Sequence, residues 1–106
     1  MLDSFFKVER NGQIAIDFDL LFEAGISVDV VKEQIEFVSS SRKFTLDGFF
    51  VDRNRRSFVI VYSAFASNTG ALLSTCIVVP FQSSDYYVLP FEFYFSGGVN
   101  DGEKSC

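Results

Sequence analysis

The sequence contains no histidine and no tryptophan, only two prolines and two cysteines, and no charged side chain between residues 57 and 84. Without histidine, the commonest general base, the Ser-His and Cys-His pairs and histidine-bound metals are all missing, which argues against an enzyme. Cys76, between Thr75 and Ile77 in an apolar segment, and Cys106 at the last position do not look like a disulfide framework. A reducing cytoplasm is the simpler setting for them. Burial of Cys76 would raise its thiol pKa and leave it inert. The net charge of −5 supplies no surplus of Lys and Arg for phosphate contacts and so disfavours nucleic acid as a partner. Asp17, Asp19 and Glu23 could gather carboxylates around a hard cation, but their spacing lacks the glycine and repeated acids of an EF-hand loop. No metal and no cofactor is expected. Residues 1–9 carry acidic side chains early and lack a clean apolar stretch, so no secretory signal is expected either.

The charge-free run has two readings. Behind the basic cluster Arg53, Arg55 and Arg56 it is long enough for a membrane span with a positive flank. Its middle, however, holds Ser67, Asn68, Thr69 and Gly70, a cluster of turn formers between two β-branched and aromatic segments. A helix at bilayer depth would bury Asn68 without an obvious partner. Two strands joined by a turn, with no membrane contact, fit better.

What is present suits one domain. The chain has 106 residues, 48% of them hydrophobic, and its 14 phenylalanines can pack on a pleated surface without hydrogen-bond partners. Residues 1–56 hold eight of the nine basic and ten of the fourteen acidic side chains, whereas 57–95 contain only Asp85 and Glu92 as charges. No linker separates the halves. A single compact domain over 1–96 is expected, followed by a flexible polar tail over 97–106.

The expected fold is α+β and β-rich. Residues 5–18 suggest a hairpin around Arg10, Asn11 and Gly12. A three-residue loop ending in left-handed Gly12 sets Val8 against Ile14 and Phe6 against Ile16, gathering apolar residues on one face. Asp19 could cap a short helix over 20–24 with Gly25 as its stop, and Ser27 is a second capping candidate. Val28, Val31, Ile35 and Val38 suit one face of a helix over 28–38, although parts of that segment also suit strands. Four strands then follow at 44–51, 57–66, 71–81 and 86–95, and an antiparallel meander over about 44–95 is the simplest topology. Pairing through a turn of Arg53, Asn54 and Arg55 puts Phe50 opposite Phe58 and Leu46 opposite Tyr62, with Phe49 and Asp47 on the other face. Pro90 marks the last strand as an edge or a bulged strand.

The stretch from Val8 to Ile16 (Val-Glu-Arg-Asn-Gly-Gln-Ile-Ala-Ile), followed by Leu20, Leu21, Gly25, Ile26, Asp29 and Val31, resembles the swapped-hairpin domain of AbrB-like regulators and MazE-type antitoxins. The likeness covers residues 7–47. It implies an intertwined dimer that binds DNA through its paired hairpins, with Lys7 and Arg10 as the phosphate contacts. Asp17 stands where the family usually has proline, Val28 where it has glycine, and Asp17, Asp19 and Glu23 replace basic residues. A helix-turn-helix reading of 20–38 meets the same obstacle, since its second helix would offer Asp29, Glu33 and Glu36 against Lys32 alone.

A small sheet apolar on both faces needs two covers, and uncovered aromatic surface is usually an interface. Tyr86, Tyr94, Phe91 and Phe93 are the candidate protein contacts. The basic turn of Arg53, Arg55 and Arg56 could hold an anion or nucleic acid or be a solvated turn. An OB-type single-strand binder is opposed by the scarcity of Lys and Arg on the neighbouring strands. The function expected is a non-enzymatic protein-binding module, acting as an inhibitor, antitoxin-like neutraliser or adaptor of phage or mobile-element type, either as a homodimer or with another protein. A DNA-binding regulator of swapped-hairpin kind and a self-assembling structural component are the alternatives.

Overall fold

In the computed structural model, which describes residues 6–8, 10–12 and 14–96, left-handed Gly12 (φ +88°) turns β1 (Phe6–Val8) back onto β2 (Ile14–Ile16). The two pair antiparallel with Val8 opposite Ile14 and Phe6 opposite Ile16, the register that the apolar parity predicts. The tail expected over 97–106 lies outside the described residues.

Helix α1 (Phe18–Glu23) starts two residues earlier than expected. Asp17, not Asp19, is its cap, and the Asp17 carboxylate accepts from the Leu20 amide at 3.3 Å. Gly25, at φ +85°, ends the turn that follows. Ser27 then caps α2 (Val28–Ser40), its hydroxyl accepting from the Val30 amide at 3.4 Å. Val31 and Val38 on α2 are fully buried, and Val28 and Ile35 are half-buried beside them. Their three- and four-residue spacing makes the stripe that lies on the sheet.

The sheet is an antiparallel meander of β3 (Thr45–Asp52), β4 (Ser57–Phe65), β5 (Leu72–Pro80) and β6 (Tyr87–Pro90), in that order. The turn formers Ser67 to Gly70 join β4 to β5, with Phe65 opposite Leu72 and Gly70 at φ +72°. No helix among the described residues is long and apolar enough to cross a membrane.

The β3–β4 register differs from the expected one. The connecting turn has four residues, Arg53 to Arg56, with Arg56 itself left-handed at φ +49°, so Asp52 faces Ser57 and Phe50 faces Val59 rather than Phe58. That slip moves Phe50 to the opposite face and brings Phe49 and Val51 to the face that holds Phe58 and Ile60. A bulge at Asp47 then absorbs one residue, and Leu46 meets Tyr62 as the sequence predicts. Without the bulge, alternation would direct Asp47 toward the helices. With it, the Asp47 carboxylate accepts instead from the Ser63 hydroxyl at 3.3 Å.

The larger core lies between the sheet and α1, α2 and the hairpin, where Leu21, Ile26, Val31, Val38, Phe58 and Ile60 are the innermost residues. Burying Phe58 completely contributes about 1.5–3 kcal/mol. The opposite face holds a smaller core of Val59, Cys76 and Val78, roofed by Tyr94. Here the strand expected to run through residue 95 ends at Pro90, and the chain turns into a third helix, α3 (Phe91–Ser96). Proline has no amide to donate, which suits the start of a helix and interrupts a strand.

Candidate functional site

The two faces of the sheet are covered unequally. One carries two helices and a hairpin, and the other carries the six residues of α3. Among the described side chains of that helix, one is buried. Tyr94 is 3% exposed, packs on Val59, Cys76 and Val78, and donates its hydroxyl to Asp52 Oδ2 at the end of β3. The Arg55 guanidinium donates to the same carboxylate oxygen at 3.2 Å and lies 4.4 Å from the centre of the Tyr94 ring, while the Arg55 amide donates to Asp52 Oδ1 at 3.1 Å. The turn after β3 thus clamps α3 from outside.

Electrostatics follow from this contact. Burial raises the pKa of Asp52, but the hydrogen bonds from Tyr94 and from the Arg55 amide, together with the Arg55 charge, outweigh it and hold the carboxyl below its ordinary value. Burial and the carboxylate partner push the Tyr94 hydroxyl well above the ordinary tyrosine range. Beneath it, burial pushes the Cys76 thiol up to about 11, so it is a poor nucleophile at neutral pH.

The remaining rings of α3 face outward. Phe91 and Phe95 touch each other at 4.6 Å, Phe95 also leans on Phe50 at 5.8 Å, and Phe93 is 63% exposed. Farther along the same face, the cross-strand pair Phe65 and Leu72 stands in the open, and a side chain on Gly48 would meet nothing within 4 Å. Alternation puts Phe65, Leu72, Gly48 and Tyr87 on the α3 side of the sheet and Tyr86 and Val88 on the helical side.

The residues expected at a protein contact are therefore divided. Phe91 and Phe93 share α3, Tyr86 lies across the sheet beside α2, and Tyr94 is interior. Of the basic candidates, Arg55 is engaged with Tyr94 and Asp52, and Arg56 lies over the Phe81 ring at 5.4 Å. Arg53 and Arg10 are exposed, and the side chain of Lys7 lies outside the described part. Asp52, Phe95, Phe65 and Leu72 escape a reading of the sequence. Phe65 and Leu72 had a usable signal, since two large apolar residues flanking one turn stand opposite each other at the tip of a hairpin.

Among the described residues no three of His, Cys, Asp and Glu are grouped to hold a metal ion. In comparison with known proteins, the chain matches no family model, no curated sequence and no solved structure.

Proposed function

We propose that this protein is a non-enzymatic binding module that docks on another protein through the α3 face of its sheet, as an inhibitor, neutraliser or adaptor. The observation that carries the reading is the set of outward rings on α3, Phe91, Phe93 and Phe95, on a helix that one buried tyrosine already holds in place. An apolar helix surface with no charged residue except Glu92 is expensive to leave in water and suits burial against a partner. Aromatic side chains supply much contact area for little lost freedom, which is why they dominate such contacts. The Cys76 thiol on this face is buried, and the chain has no histidine.

Sedimentation with hydrophobic-dye binding tests the proposal. Self-association, or dye binding by a monomer, should be lost in Phe93→Asp while circular dichroism stays native, because Phe93 is exposed and its loss opens no cavity. Self-association would make a second copy the partner, and dye binding by a monomer would point to a different protein. A wild-type monomer that binds no dye would sink the idea.

A further inference from the structure

Strand β6 is an open edge. It pairs with β5 on one side, Val88 opposite Ile77, and no described strand pairs with its other side. Edges are blunted by charge, by proline or by shortness; β6 is only four residues long and ends at Pro90, but it has no charged residue, and Tyr87 and Val88 are exposed. Beside it, on the helical side of the sheet, runs an apolar groove of about 450 Å³ between α2 and β6, walled by Phe37, Tyr62 and Val88 with Glu33 on its rim. Past the beginning of β6 the loop of Gln82, Ser83 and Ser84 forms one wall of a second, larger cleft of about 680 Å³, whose other wall is α1 and the first turns of α2.

That second cleft is acidic. Neither Asp19 nor Asp29 has an ion-pair partner among the described residues, and the Lys32 ammonium lies 4.9 Å over the Phe18 ring. With Glu33, the two openings carry three carboxylates against one ammonium. The exposed Phe22 ring lines the same cleft and offers a face to a cation.

We propose that the open edge of β6 receives an extended segment of a partner protein, with apolar residues at alternate positions and a basic residue at the end that reaches the Asp19–Asp29 cleft. The segment's backbone satisfies the free amides and carbonyls of the edge, and its alternate side chains enter the groove against Phe37. Its arginine or lysine meets the unpaired carboxylates and the Phe22 ring. This rests on the protein-binding reading but uses a different surface from α3, so the two can fail separately.

Amide shift mapping with a blocked peptide of alternating valine and serine, carrying arginine at each end, tests the inference. Shifts should concentrate at Asp29, Ser84, Tyr86 and Val88. Binding should weaken about ten-fold when the arginines are replaced by glutamates, or in the Asp19→Asn/Asp29→Asn protein, as for loss of one charge-assisted contact. Equal binding of the glutamate peptide, shifts on α3, or no shifts would overturn it. Shifts at β6 that grow with the concentration of the free protein alone would also overturn it, since a second copy would then occupy the edge. The Phe93→Asp variant should bind the arginine peptide like the wild type.

Discussion

Tyr94 joins three parts of the molecule through one phenol: α3, the end of β3 and the turn that follows it. Replacing it with phenylalanine keeps the ring in its pocket but leaves Asp52 one donor short, and denaturant unfolding should show a loss of about 0.5–1.5 kcal/mol. Two titrations bound the contact. The Asp52 carboxyl is depressed in the folded protein, so its contribution is present above its ordinary pKa of 3.8 and is lost as pH falls through the lower folded value. The Tyr94 hydroxyl is raised, so its contribution is present below its ordinary pKa of 10.0 and is lost as pH rises beyond it. Near-ultraviolet circular dichroism should therefore stay level between these limits and change at both ends, and Tyr94→Phe should abolish the alkaline change assigned to this group. None of this was legible in the chain, because Tyr94 and Asp52 are 42 residues apart and only the fold brings them together. The sequence pointed to Tyr94 as an aromatic of interest but could not distinguish an exposed ring from an anchor.

At the scale of elements, the outcome depended on whether the apolar pattern offered one solution or two. The first hairpin has one, since a single parity sets Val8 and Phe6 against isoleucines, and the strands pair in that register. The β3–β4 pair had two, because Phe49 and Phe50 are adjacent and identical, and a one-residue change in turn length simply exchanges them. Residues 91–95 were ambiguous for the same reason. Phe91, Phe93 and Phe95 alternate like a strand, while Phe91, Tyr94 and Phe95 lie one helical turn apart. Connections between elements offer a sharper test. The Gln82 amide, in a left-handed residue (φ +58°), donates to the Gly25 carbonyl at 2.6 Å, and a Cβ on Gly25 would stand 2.8 Å from Gln82 Cγ. Gly25→Ala and Gly70→Ala should each cost about 1–2 kcal/mol in thermal or denaturant unfolding from the left-handed backbone alone. Gly25→Ala should cost more than Gly70→Ala, whose added methyl meets nothing, and the excess should disappear in a Gln82→Ala background.

For the whole molecule, the unequal covering of the sheet sets where it opens first. Helices α1 and α2 share a core of ten buried residues with the sheet, whereas α3 shares one of four. Cys76 sits in the smaller core and can report on it, because a thiol there reacts only when α3 lifts. In a Cys106→Ser background, thiol labelling at constant pH should be slow in the wild type and about 2- to 12-fold faster in Tyr94→Phe, the population change that 0.5–1.5 kcal/mol implies. Equal rates would show that the thiol is reached by another route. The need for a second cover was legible from the charge-free run, since both faces of its strands had to be apolar. That the cover would be the six residues directly after the last strand was not, because nothing short of the register says which face has room for Tyr94.

The order of the elements adds a consequence for folding. The meander is complete at Pro90, and its roof follows in the next six residues. A chain that pairs its four strands before those residues dock leaves Val59, Cys76 and Val78 uncovered, an apolar strip flanked by the open edge of β6. The interval between the pairing of the strands and the docking of Tyr94 is when this protein is most exposed to aggregation.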